Sequence, residues 1–227
     1  MYYSIAIDGP AAAGKTTQAK ALARELGFIY VDTGAMYRAF AVHKLWLEKE
    51  LGYKIDVERA LNTFDCDILQ NEDGQHILLR DVDITPYLRT PEVTMAASET
   101  SAHPAVREIL LKMQQIMPQM NHVVMEGRDI GSVVIPNATM KVFLTASPEV
   151  RAKRRFDELA RNGAVVSFEE VDRDMRTRDY NDSHRETAPL RKMPDAILVD
   201  DSDLSIEETT QKLLALWRDT LNRFKAR

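Results

Sequence analysis

One cysteine in 227 residues leaves little room for sulfur chemistry: Cys66 cannot form an intrachain disulfide, and no Cys-rich zinc site can be built around it. The histidines, His43, His76, His103, His122 and His184, lack the spacing of metal ligands. No apolar run approaches a membrane span, and the N-terminal one breaks at Asp8, too short for the core of a secretory signal. An excess of positive charge is missing too, since a formal net charge of -5 argues against a protein whose main task is holding nucleic acid. Internal repeats, low-complexity tracts and heptad runs are absent, which leaves a cytoplasmic monomer as the expectation. At 44% hydrophobic and 29% charged residues, the chain has the composition of a soluble globular protein, long enough for one α/β domain with an insertion.

What stands out is Gly9-Pro10-Ala11-Ala12-Ala13-Gly14-Lys15-Thr16-Thr17, which has the G-x-x-x-x-G-K-[ST] spacing of a phosphate-binding loop. A short apolar strand candidate precedes it, Tyr3 to Asp8, and an amphipathic helix follows from Gln18 to Leu26. In that setting the glycines let successive N–H groups and the helix's positive end surround a phosphate. Lys15 would reach the β and γ phosphates of a nucleoside triphosphate, and the Thr16 hydroxyl would ligate Mg²⁺.

Further strand candidates are Phe28 to Val31, His122 to Met125, Met140 to Leu144 and Ala196 to Val199, alternating with helical patterns. The expectation is a five-stranded parallel sheet wrapped by helices. Between Asp65 and Ile84, two apolar runs flank the turn-rich Asn71-Glu72-Asp73-Gly74, which predicts an inserted antiparallel hairpin extended by Val82 to Ile84. Helices are expected over Ala35 to Lys49, Val93 to Thr100, Ala105 to Met117, and from Pro148. The strand before Glu126-Gly127-Arg128-Asp129 ends in acids placed to support Mg²⁺ or its water, and the spacing leaves Glu126 and Asp129 both open for that role.

Arginines are concentrated where ligands gather. Arg38 lies near a helix start, against the helix dipole, and Arg151, Lys153, Arg154, Arg155, Arg161, Arg173, Arg176, Arg178 and Arg185 crowd one segment of an acidic chain. Some must be solvated helix faces, yet so many cations call for an anion among them. The guanine-reading Asn-Lys-x-Asp tetrapeptide is lacking. A neutral alcohol acceptor would benefit from a carboxylate base, whereas a phosphate acceptor, already largely dianionic near neutrality, needs its charge screened by bidentate Arg clamps.

Several separated motifs carry a resemblance: Asp8-Gly9-Pro10 with the phosphate loop, Asp32-Thr33-Gly34-Ala35-Met36-Tyr37-Arg38, Glu126-Gly127-Arg128-Asp129-Ile130-Gly131, and Arg178 to Arg185 before Ala188-Pro189-Leu190. Over essentially the whole chain they resemble the bacterial cytidylate kinases, among the nucleoside monophosphate kinases, and the hairpin looks like the insert that this family carries. The resemblance implies transfer of the γ-phosphoryl of MgATP to CMP or dCMP, with ATP on Gly9 to Thr17 and Mg²⁺ on Thr16. It implies that Thr33, Arg38 and Arg128 hold the CMP phosphate, that Ser98, Arg107 and Asp129 read the cytosine edge, and that Asp182 bonds the ribose. Arg178 and Arg185 would clamp phosphates and, with Lys15 and Arg128, carry the catalysis. The cytosine amine suits the acceptors Ser98 and Asp129, and O2 and N3 suit Arg107. The division implied is a core of 1–34, 121–147 and 190–227, a monophosphate-binding region of 35–120, and a lid with its following helix over 148–189, Arg151 to Gly163 being the mobile part. One departure is visible, Ala11-Ala12-Ala13 and Thr16-Thr17 where relatives often carry Gly or Ser. The competing readings are a kinase for another small acceptor, such as UMP, AMP or a metabolite, and an ATP-dependent regulatory module.

Overall fold

The computed structural model describes residues 2–71, 74–161 and 163–225. Strand β1 (Ser4–Asp8) runs into the phosphate loop and helix α1 (Lys15–Leu26), which Gly27 ends in a left-handed cap. Strand β2 (Ile29–Asp32) leads directly into α2 (Thr33–Leu51). The short α3 (Val57–Leu61) precedes the hairpin β3 (Cys66–Asn71) and β4 (Gly74–Leu79), with β5 (Val82–Asp83) as a third strand. Then follow α4 (Pro91–Thr100), α5 (Pro104–Met120), β6 (Val123–Gly127), β7 (Met140–Thr145), α6 (Pro148–Arg161), α7 (Phe168–His184), β8 (Ile197–Asp200) and α8 (Ile206–Lys225).

The expected five-stranded parallel sheet is present in the order β2-β6-β1-β7-β8, and β3, β4 and β5 form a separate antiparallel sheet. Alternation along β1 explains the layering. Ile5 and Ile7 pack with Leu22 of α1 and Leu213 and Trp217 of α8, while Ala6 packs on the other side with Val31, Met125 and Ile130. The chain crosses over between β1 and β2 with β6 inserted, so the C-terminal ends of β1 and β6 lie side by side, Asp8 opposite Gly127. That switch in strand order is where an open α/β sheet makes its crevice.

Two expected boundaries move, each for a local reason. Helix α2 begins at Thr33, ahead of the expected Ala35, because the Asp32 side chain accepts the Ala35 N–H as an N-cap. Helix α5 runs on to Met120, carrying Pro118 within its last turn. The run Asn71 to Gly74 does join two strands, although Glu72 and Asp73 lie outside the described residues.

Near the end of α2, buried Glu48 receives Lys44 Nζ, Lys54 Nζ at 3.1 Å and the Ile55 N–H at 3.0 Å. Burial raises its carboxyl, but the Lys44 bond and the Ile55 N–H outweigh it and hold the group at about 2 against an ordinary 4.5. A carboxylate depressed in the folded state stabilises above its unfolded value and loses that contribution as pH falls towards the folded one. Urea unfolding should therefore show Glu48→Gln about 1–3 kcal/mol less stable than the parent at neutral pH, with the gap closing towards about pH 2.

Candidate active site

The phosphate loop is held by backbone that no side chain could share. A Cβ on Gly9 would lie 1.9 Å from the Leu144 carbonyl oxygen of β7, so the loop leaves β1 pressed against the neighbouring strand. Ala12 takes a left-handed φ of 55°, which costs a non-glycine residue about 1 kcal/mol. Lys15 opens α1 and is buried, its Nζ donating to the Pro10 carbonyl at 2.7 Å. Burial, helped by the guanidiniums of Arg128 and Arg178, brings its ammonium down to about 7. The loop is gripped from α6 and α7 as well. Asp179 accepts the Ala11 N–H at 3.2 Å and pairs with Arg151, which donates to the Ala11 carbonyl at 3.2 Å.

Beside the loop a cleft of about 730 Å³ brings together nearly every site residue named from the sequence. Ala11 to Thr17, Thr33, Arg38, Ser98, Arg107, Arg128, Asp129, Arg178, Asp182 and Arg185 all line it; Gly9 and Pro10 lie behind it as the loop's root. Four of the cations there lean on carboxylates. Arg38 donates to Asp32 at 2.7 Å, Arg128 Nε to Asp182 at 2.7 Å, and Arg107 to Asp129, whose other oxygen is 3.5 Å from Arg185. Burial pushes the Asp32 and Asp182 carboxyls up, but Arg38 and Arg89 on the first and Arg128 and Arg178 on the second outweigh it, leaving both below the usual range. Arg178 is only partly compensated. Burial and then Arg128 lower it to about 10, and its Nε, like that of Arg38, is buried with no hydrogen-bond partner among the described residues. Such groups are costly unless a ligand meets them.

The structure separates the two acids that the sequence left open. Glu126 is buried at the end of β6, hydrogen-bonded to Thr16 and accepting from the Tyr30 hydroxyl at 2.7 Å, and burial and then Asp32 raise its carboxyl. Thr33 donates to the Glu126 carbonyl at 2.7 Å, which ties the start of α2 to β6. Asp129 is committed to Arg107 and Arg185, and Arg107 lies over the Tyr37 ring at 5.4 Å. Asp8 holds the turn that carries Arg128 and Asp129, accepting the Ile130 and Gly131 N–H groups at 2.7 and 2.8 Å.

Sequence reasoning named Arg154 within the basic run and assigned nothing else to the far end of the cleft. There Arg154 donates to Asp201 at 3.0 Å, and Gln18, Leu204, Ser205, Ile206 and Thr209 continue the wall. A loop after the last strand, without periodicity or motif, offered no signal. Arg89, 3.5 Å from Asp32, was missed because it stands in a segment with no phosphate-loop or strand-end context. Of the basic run, Arg154, Arg155, Arg161, Arg178 and Arg185 line the cleft, whereas Lys153 and Arg176 pair with Asp157 and Asp172 on exposed faces. Among the described residues no cluster of three or more His, Cys, Asp or Glu could hold a metal ion, and no helix is long and apolar enough to cross a membrane.

Comparison with known proteins finds relatives over nearly the whole chain. A family model described as Cytidylate kinase matches residues 5–219. Among curated relatives, a cytidylate kinase of Carboxydothermus hydrogenoformans is 49% identical over 214 residues, covering 93% of this chain and 96% of the relative. That of Fervidobacterium nodosum is 46% identical, covering 96% and 98%, and that of Bacillus subtilis 44%, covering 93% and 94%.

The contact at Gly9 is with backbone, which cannot rotate away. Gly9→Ala should therefore cost about 3 kcal/mol in denaturant unfolding and weaken ATP binding by more than about tenfold in calorimetry.

Proposed function

The chain belongs to the cytidylate kinase family, and from that premise we propose how its cleft transfers the γ-phosphoryl group of ATP to CMP or dCMP, giving ADP and CDP or dCDP. Lys15 and the N–H groups of Ala13 to Thr17 take the β and γ phosphates. Thr33, Arg38 and Arg128 hold the CMP phosphate, Ser98, Arg107 and Asp129 read cytosine, and Asp182 takes the ribose. Arg178 and Arg185 stand between the two phosphates. The observation that carries this reading is the convergence of guanidiniums on one cleft, with the Nε atoms of Arg38 and Arg178 buried and lacking partners among the described residues.

The acceptor is a dianion near neutrality and needs no proton removed before it attacks. What opposes reaction is repulsion between two phosphates. Fixed guanidiniums screen it, and their planar forks align the attacking oxygen with the γ-phosphorus. Lys15 stays beside the bridging and terminal oxygens of the donor as charge moves towards ADP, and a nearby polyphosphate restores the charge that burial takes from its ammonium.

Thr16 and Glu126 are hydrogen-bonded hard oxygen donors, which suits Mg²⁺. The ion when bound there draws charge from the β and γ phosphates. Glu126 is the better placed carboxylate for its water shell, because Asp129 is engaged by Arg107 and Arg185. Adenine fits the far end, between Arg154 and the 201–206 loop. Residues 35–120 act as the acceptor-binding part and 148–189 as a lid that excludes water, since α6 and α7 already touch the loop through Arg151 and Asp179. A monomer in the cytoplasm is the working state, in keeping with a single buried, unreactive Cys66 whose thiol burial pushes to about 12.

The test is ADP formation from MgATP with CMP, dCMP, UMP, AMP and shikimate offered separately at equal concentration. Strong stimulation by CMP and dCMP is expected; stimulation by another acceptor, or ATP consumption indifferent to all of them, would overturn the assignment. In the same assay Asp129→Asn should raise the KM for CMP by about tenfold or more and lower kcat, with the KM for ATP little changed.

A further inference from the structure

The inserted hairpin does more than pack beside α2. Strand β2 is the edge of the parallel sheet, paired with β6 on one side only. On its other side two side-chain amides take the place of a neighbouring strand. Gln70 Nε2 donates to the Tyr30 carbonyl at 3.0 Å, while the Gln75 amide accepts the Asp32 N–H at 2.8 Å and donates to the Asp32 carbonyl at 3.2 Å. Gln70 and Gln75 face each other across the hairpin, so both project from the same side of it. Behind them, Ile77 and Leu79 bury against Ala35, Ala39 and Val42 of α2. Apolar burial supplies adhesion without direction; the amides supply direction.

That direction falls on one residue. Asp32 is held by β6 from one side and by Gln75 from the other, and its carboxylate caps Ala35 and receives Arg38 at 2.7 Å and Arg89 at 3.5 Å. The fit around it is close: a Cβ on Gly34 would lie 3.0 Å from Arg38 Nη1 and 3.1 Å from an Asp32 carboxylate oxygen. We propose that Gln75 is a positioning residue for phosphoryl transfer, through which the inserted sheet sets the aim of Arg38 on the acceptor phosphate by way of Asp32. The inference rests on Arg38 holding the CMP phosphate, as argued above. It assigns the insert a part in the acceptor site, although no described residue of the inserted sheet lines the cleft.

The experiment is a mutant cycle on the full chain, Gln75→Ala, Arg38→Ala and the double variant, with Gln70→Ala as the comparison, measuring KM for CMP and for ATP and the inhibition constant of cytidine. Gln75→Ala should raise the KM for CMP by about tenfold and leave both the KM for ATP and cytidine inhibition within about twofold, since cytidine lacks the phosphate. Added to Arg38→Ala it should change nothing further. Gln70→Ala removes an equivalent docking bond from Tyr30 and should move the KM for CMP by less than about twofold. Gln75→Asn, which keeps an amide but is a methylene too short to span both groups, should repeat the Gln75→Ala effect if the latter folds poorly. An unchanged KM for CMP in Gln75→Ala and Gln75→Asn, an equal rise in the KM for ATP, or equal effects of Gln70→Ala and Gln75→Ala would overturn the proposal. An unchanged KM for CMP in Arg38→Ala would overturn the phosphate assignment itself, and the role of Gln75 with it.

Discussion

Like charges at close quarters set the terms for this molecule. Lys15, Arg38, Arg107, Arg128, Arg178 and Arg185 converge on one cleft in a chain whose net charge is -5, and the repulsion among them must be contained before any substrate arrives. Containment comes from Asp32, Asp129 and Asp182, each placed by a different element, so the cations are parked in pairs and not scattered into solvent. The compensation is incomplete at Lys15, Arg178 and Arg185, which burial and neighbouring guanidiniums bring down. A site tuned in this way favours polyanions over neutral ligands before any shape is read.

How much of this was legible in the sequence depends on which physical rule encodes it. Local rules were readable: the phosphate loop announces itself by glycine spacing, the strands by apolar runs and the hairpin by its turn residues. Strand order was not, because a period of two or 3.6 says which face is buried and nothing about neighbours, yet it is that order which sets Asp8 beside Gly127. The grouping of Ser98, Arg107, Asp129, Asp182 and Arg185 came from a family resemblance and not from spacing, and all of them line one cleft. Asp32 and Glu126 were seen as strand ends. Their work as a counterion and as the partner of Thr16 depends on contacts between elements far apart in the chain. Gln70 and Gln75 carried no signal at all, since a glutamine in a half-exposed strand is an ordinary choice.

The phosphate loop shows how a rigid part and movable parts share one anchor. Behind it, Gly9 is pressed on the β7 backbone and cannot shift. In front, Arg151 and Asp179 reach the backbone of the same residue, Ala11, from two helices that pack on each other through Ala152, Val171 and Met175. Under the proposed function, a helix pair that hydrogen-bonds the phosphate loop would sense its filling directly, and the core strands behind it would not have to move.

The distribution of indole rings has a practical side. The chain has two tryptophans, and they sit in opposite surroundings. Trp217 is buried among the rings of Tyr3 and Phe28, at the end of the sheet away from the cleft. Trp46 is 41% exposed on α2, edge-on to Tyr87 at 6.1 Å. A collisional quencher in the solvent reaches one and not the other, so the emission of this unlabelled protein divides into a silent core lamp and a surface lamp fixed to the helix that carries Arg38.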